Sequence, residues 1–385
     1  MCSSRNRSGR RPADAGLTLI ELLVAVALSG ILMVSVYYIY SITTRSYRVQ
    51  GEVMQAMEQA RFGLDQLRRD IAAAGFMGTP NSVRDPNVCP KTDPDPAIRG
   101  IQFQRVGDVA PGNPNVTPSA VILFGSYFSP NVFVTDRIAG SDVYFQWTGL
   151  PALNTMPQTQ TAFEDTFRPG RYLRIVSAGQ YEMYYVIQRA VWAANPAQRK
   201  VTLARTPPVS TPPNYCGVQG YAVGLEASVA GFVRYRLAAD PRVANGTKVD
   251  LVREEWDALN QAWVQRLIIA EYAADLQFYD FARDGGTPTT PQILFDRNIE
   301  DVVSSGGTGR YGNDITATPE RLRFVTAKLT MRTVFEDPAS RFVPRSAAHA
   351  PFDTYEVDPT VTGAARTVSL SSRVGLKAFL VRNVQ

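Results

Sequence analysis

Gly16-Leu17-Thr18-Leu19-Ile20-Glu21-Leu22-Leu23-Val24-Ala25-Val26-Ala27-Leu28-Ser29-Gly30-Ile31-Leu32-Met33 is the stretch on which the reading of this chain turns. The apolar run continues to Ile42, about 26 residues in all, enough to cross a bilayer as a helix. Its one ionisable side chain is Glu21. An acid placed toward lipid costs on the order of 2–3 kcal/mol even on lenient insertion scales, so it normally has a partner and a purpose. The plain alternative is an ordinary anchor with a stray acid. A secretory signal peptide fits worse, because its apolar core is shorter and is followed by the cleavage site.

Outward from this run, residues 43–75 turn amphipathic. Val53, Met57, Ala60, Leu64, Leu67 and Ile71 recur at steps of three and four, a stripe on one helical face. No proline interrupts residues 17–74, and Gly30, Gly51 and Gly63 weaken the pattern only locally. The spacing predicts one helix roughly 85 Å long, stopped at Gly75.

The chain has 385 residues, 45% of them apolar, which leaves residues 76–385 for a globular head with a sizeable core. Net charge is +5. Arg5, Arg7, Arg10 and Arg11 against Asp14 supply +3 of it, so the remainder is near +2. That is no nucleic-acid footprint. Arginines ahead of the apolar run favour a cytoplasmic N-terminus and a head beyond the membrane, although Arg45 and Arg48 reduce the asymmetry.

Residues 79–119, rich in Pro, Asn, Asp and Gly, read as an irregular connection. From there the period shifts to two. Residues 120–124, 142–147, 172–176, 181–192 and 201–205 are predicted strands, followed by a Pro-rich break near 206–220 that is a candidate subdomain boundary. Further strands are predicted at 231–237, at 248–255 after the Asn245-Gly246 turn, and at 263–269, 276–281, 321–334 and 367–384. Residues 283–319 read mostly as loop. The expected class is α+β, a long N-terminal helix packed on a large antiparallel head.

Enzymatic chemistry has little to stand on. His349 is the only histidine, and no nucleophile elbow, P-loop or dinucleotide fingerprint occurs; the glycines at 306–309 lack the following Lys-Ser or Lys-Thr. Asp93 and Asp95 are interleaved with prolines and read as solvated loop rather than a calcium site. Tyr181, Tyr184, Tyr185 and Trp192 read as core or cross-strand aromatics before they read as a binding surface. No catalytic residue, cofactor or metal is expected.

A basic segment, a glycine, Thr-Leu-Ile-Glu-Leu-Leu and a long apolar helix together resemble the class III signal of type IV pilins. The resemblance implies a leader of residues 1–16, a cut by prepilin peptidase between Gly16 and Leu17, and methylation of the Leu17 amine. Leu17 departs from the phenylalanine common there. In that family the acid at the position of Glu21 is thought to neutralise the N-terminal amine of an adjacent subunit, a pairing that makes two charges tolerable in lipid. Residues 17–42 would be the membrane-spanning half of the helix.

Cys2 would leave with the leader. Cys89 and Cys216 would remain in an oxidising compartment, where one disulfide is expected; the alternative is two buried thiols. Residues 67–78, 269–279 and 380–383 are similar to segments of PilW-type minor pilins. That resemblance implies an inner-membrane, single-pass protein with a periplasmic head that later joins a surface pilus. Its implied partners are other minor pilins, the major pilin, the assembly platform and a tip adhesin, in a priming or tip complex. Two other readings remain: a minor pseudopilin of type II secretion, and a tip adhesion module.

Overall fold

The computed structural model describes residues 18–89, 97–113, 115–147, 156–210, 216–221, 224–243, 246–287, 290–298, 318–347 and 350–381. It divides into two compact units, Met1–Glu52 and Val53–Gln385. Helix α1 (Leu19–Ala72, 54 residues) supplies the described part of the first unit and opens the second.

Within the second unit the strands are β1 (Ile101–Gln104), β2 (Ala120–Gly125), β3 (Phe133–Ala139), β4 (Asp142–Phe145), β5 (Tyr172–Val176), β6 (Glu182–Val191), β7 (Lys200–Leu203) and β8 (Glu226–Ala239). They continue as β9 (Val249–Asp257), β10 (Ala262–Ala270), β11 (Ala273–Thr287), β12 (Thr290–Asn298), β13 (Leu322–Arg332), β14 (Thr354–Tyr355) and β15 (Ala365–Gly375). Two short helices, α2 (Gln160–Thr166) and α3 (Lys377–Val381), complete the set. The α+β architecture expected from the sequence is the one observed.

Alternation along β8 explains how the sheets join. Its first residues, 226–230, pair with β5 and touch β3, while 231–239 pair with β2 and β9. The pairings β8–β3–β4–β7–β6–β5 return to β8 and close an antiparallel ring of six strands. Ala227 and Val229 point into that ring, against Phe133, Phe145, Leu173 and Ile175. Phe163 of α2 and Phe167 just after it fill the same core, each fully buried.

Farther along the same face, Val233, Tyr235 and Leu237 point instead at α1. Here the order β1-β2-β8-β9-β10 forms one cover for the helix. The second cover is the separate sheet β12-β11-β13-β15-β14, through Leu276, Phe278, Ala327 and Leu329. Ala56, Ala60, Leu64, Leu67 and Ile71 of the helix lie between them. Gly63 is the point of closest approach. A Cβ there would meet Leu329 Cδ2 at 2.9 Å, Ala270 Cβ at 3.1 Å and Leu251 Cδ2 at 3.3 Å, atoms from both covers.

One charged residue is buried in this interface. Asp70 Oδ2 accepts from the Tyr235 hydroxyl at 2.7 Å and from Arg253 Nε at 3.0 Å, and its Oδ1 accepts from Gln66 at 3.2 Å. The Tyr127 hydroxyl donates to the Asp70 carbonyl at 2.9 Å, capping the last turn. Burial first, then the nearby Asp70 carboxylate, push the Tyr127 and Tyr235 hydroxyls well above the usual phenol range, so both remain donors. The chain then turns at Gly75, at φ +76°, and its N–H donates to Phe124 O at 2.8 Å. Phe379 of α3 closes this corner, its ring so near Gly75 and Gly100 that a Cβ at either would lie 2.6–2.7 Å from it.

Several sequence expectations change. Residues 79–119 contain β1, whose Ile101 and Phe103 alternate inward on only four residues, too short a period to register. β3 and α2 lie where no element is expected, for a similar reason. Residues 283–319 are not mostly loop among those described: β11 runs to Thr287 and turns into β12, register Gly286↔Pro291. β12 is an edge strand, where a proline near the start costs no ladder bond toward a neighbour. The last predicted strand, 367–384, ends at Gly375 and gives way to α3, because Phe379 is drawn into the glycine corner.

Cys89 and Cys216 are joined as a disulfide across 127 residues of sequence. Cys89 lies beside β6, its N–H donating to Glu182 O at 3.0 Å, and Cys216 belongs to the segment leading to β8. The bond therefore ties the connection after α1 to the ring.

Two variants test this packing. Asp70→Ala removes the carboxylate shared by Arg253 and Tyr235, leaving Arg253 only Glu255 at 3.7 Å, and is expected to cost about 2–3 kcal/mol in urea unfolding. Replacing both Cys89 and Cys216 by serine is expected to lower stability by roughly 4–5 kcal/mol from loop-closure entropy. Reduction of the unaltered protein is expected to reproduce that shift in the unfolding midpoint.

Candidate functional site

The described part of the first unit carries Glu21, the residue expected from the sequence to act in assembly. Leu19 starts a helix because Thr18 caps it. The Glu21 N–H donates to Thr18 Oγ1 at 3.3 Å, and in return Glu21 Oε2 accepts from the Thr18 N–H at 2.9 Å and from its hydroxyl at 2.9 Å. This is a reciprocal capping box, Thr at the cap and Glu three residues on. It satisfies two orphan backbone donors and places a carboxylate on the positive end of the helix dipole. Both bonds accepted by the Glu21 carboxylate fall on Oε2; among the described residues Oε1 accepts none.

Glu21 stands out in the sequence by its charge, and the structure gives it a local bond as well. Thr-Leu-Ile-Glu before an apolar run is itself the sequence signal for the box. The acid is thus less isolated than its surroundings suggest.

Beyond the box the helix shows its apolar side chains on all sides. Leu19, Ile20, Leu23, Val26, Ile31, Met33 and Ile39 are each more than 60% exposed. Among the described residues α1 is the helix long and apolar enough to cross a membrane, and none of its apolar window is buried. A helix apolar all round suits a surrounding of lipid or of other helices. Residues 19–42 rise about 36 Å, matching a hydrocarbon core of about 30 Å with modest tilt.

Two serine hydroxyls of the apolar run are satisfied within the helix. Ser35 Oγ donates to Ile31 O at 2.9 Å and Ser41 Oγ to Tyr38 O at 2.8 Å. Tyr37, Tyr38 and Tyr40 gather at its far end, just before Arg45 and Arg48, the arrangement of an interfacial aromatic belt. Arg48 Nε then pairs with Glu52 at 3.1 Å, one turn on, where the helix is polar.

Other sequence candidates fall elsewhere. Gly16, Leu17 and Cys2 lie outside the described residues, as do Asp93, Asp95, the glycines at 306–309 and His349. Trp192 packs edge-on to Trp147 at 5.8 Å with Arg199 stacked 3.4 Å above it, and Tyr184 packs on Phe124 at 5.6 Å. These are packing roles. Among the described residues no group of three or more His, Cys, Asp or Glu side chains is placed to hold a metal ion.

Compared with known families, residues 11–37 match the one described as the prokaryotic N-terminal methylation motif. No curated protein and no solved structure matches the chain. The motif together with the apolar helix and the β-rich head supports a type IV pilin-like protein, with processing by prepilin peptidase and an inner-membrane anchor.

Removal of the cap tests the box directly. Thr18→Ala in detergent micelles is expected to fray the first turn, at a cost of about 1 kcal/mol. The check is faster amide exchange at Ile20 and Glu21 with unchanged exchange beyond the second turn.

Proposed function

We propose that this chain is a minor pilin, a structural subunit rather than an enzyme, that helps to prime type IV pilus assembly in a complex with other minor pilins. Prepilin peptidase cuts between Gly16 and Leu17 and the new Leu17 amine is methylated. The helix enters the membrane with its N-terminus cytoplasmic, and the head lies on the periplasmic side until the subunit is drawn into a pilus.

The observation that carries this reading is the methylation motif set on a capped, uncovered apolar helix, followed by a large β-rich head. Lipid tails and neighbouring helices are almost equally apolar, so leaving one for the other provides little driving force by itself. Packing and polar pairing must then choose the register. Glu21 can serve both the capping box and a partner, because Oε2 holds Thr18 while Oε1 is left for the amine of an adjacent subunit. The size of the head, residues 53–385, restricts which neighbours fit beside it.

Separation of the two duties of Glu21 is the test. Glu21→Gln retains the capping box but not the charge, whereas Glu21→Ala loses both. If pairing with an amine governs assembly, both variants insert into the inner membrane normally and both drop out of sheared pili. Gln behaving as Glu would reduce the residue to a cap. Recovery of the native protein with residues 1–16 attached would overturn the minor-pilin reading as a whole, and recovery of the processed chain with a type II secretion apparatus would move it to the pseudopilins.

A further inference from the structure

The face of the β1-β2-β8-β9-β10 sheet turned away from α1 carries an open cleft of about 400 Å³. Ile122 and Phe232 form its floor, Trp256 and Trp263 a wall, and Arg99 and Gln102 stand with Ala97 at its rim. The volume lies within the range of small-ligand sites, about 300–1,000 Å³. All of these residues belong to the second unit, so the cleft is independent of the membrane helix and of the assembly role proposed for it.

The tryptophans are cross-strand partners, Trp263 opposite Trp256. Their rings lie 5.2 Å apart and are tilted by 60°, forming an angular corner rather than a parallel slot. One face of Trp263 is covered by the Arg234 guanidinium at 4.3 Å, and Arg234 in turn is held by Glu254 at 2.6 Å, so the ring is braced from behind. Both indoles remain only partly buried.

The rim differs from its surroundings in its unmet polar capacity. Arg234 and Arg236 on this face are both paired with Glu254. Among the described residues the side chains of Arg99 and Gln102 make no hydrogen bond or ion pair, although both are half-buried. A guanidinium offers a fork that fits a carboxylate, and a carboxamide offers a donor and an acceptor together, as neighbouring hydroxyls require.

We propose that this cleft binds an acidic oligosaccharide, a sugar ring bearing a carboxylate. The C–H face of a puckered pyranose suits a tilted indole corner, whereas a flat nucleobase stacks best in a parallel slot. The carboxylate meets Arg99, and ring hydroxyls meet Gln102. Nucleic acid is the poorer fit, because it draws on clustered cations and the net charge outside residues 1–16 is near +2.

The test titrates the full chain in detergent micelles with trigalacturonate, a guluronate trisaccharide and sialyllactose, following tryptophan fluorescence and heat. Maltotriose and a twelve-nucleotide oligothymidylate serve as comparisons. At least one acidic sugar is expected to bind saturably and about tenfold more tightly than maltotriose. Arg99→Gln is expected to abolish that preference for acid while sparing the weaker neutral binding, and Trp263→Ala to remove both. Gln102→Ala, a rim change, gives a second reading should Trp263→Ala fail to fold, and is expected to weaken binding severalfold. The proposal is overturned by absence of saturable binding to all three acidic sugars. It is equally overturned by binding that Arg99→Gln and Gln102→Ala leave unchanged, or by oligothymidylate as the preferred ligand.

Discussion

A single helix must satisfy two different surroundings, and the rest of the molecule follows from that constraint. In its first part α1 is apolar on every side and uncovered, and Thr18, Ser35 and Ser41 close their polar groups on the helix itself. In its second part the same helix is buried on a stripe, with Arg68 and Arg69 paired to Asp65 on the solvent side. The sequence moves from one regime to the other at Tyr37 to Glu52 without a proline or any break in backbone bonding. Continuity is possible because helical hydrogen bonds are internal and do not depend on the solvent.

Burial of the second part sets the design of the head. One sheet would cover only one side of a helix; here β1-β2-β8-β9-β10 and β12-β11-β13-β15-β14 cover two, and Gly63 provides the space for both to close in. β8 extends the arrangement, since one face of a fourteen-residue strand serves two cores in succession. Ala227 and Val229 belong to the ring, Val233, Tyr235 and Leu237 to the helix interface, and the parity is never broken. Gly231 stands at the changeover, where a side chain would collide with Phe128 at 2.6 Å. The ring leaves no free edge in its own circuit, which protects short strands that would otherwise pair with other chains.

Much of this was legible residue by residue. The steps of three and four from Val53 to Ile71 located the stripe, buried from Ala56 onward, Gly75 marked the stop, and a β-branched and aromatic run between turn formers gave β5 the limits Tyr172 and Val176. Glu21 stood out because a charge in an apolar run is costly. Its capping bond has an equally local signal in Thr-x-x-Glu. β1, β3 and α2 escaped because four to seven residues carry too few periods to outweigh neighbouring Pro, Gly and Asn. β12 escaped because proline and glycine signal a turn, whereas an edge position removes their penalty.

The N-terminal motif, the length of the apolar run, the extent of the long helix and the antiparallel character of the head were all determined by the sequence alone, because each depends on contacts within a few residues or on periodicity along one element. Tertiary structure decided what depends on residues far apart. It closed six strands into a ring, set α1 between two sheets, bonded Asp70 to Arg253 across 183 positions, and brought Arg99 and Gln102 to the rim of a cleft walled by Trp256 and Trp263. Such choices rest on shape fit and on the pairing of buried charge, and neither leaves a periodic trace in the chain.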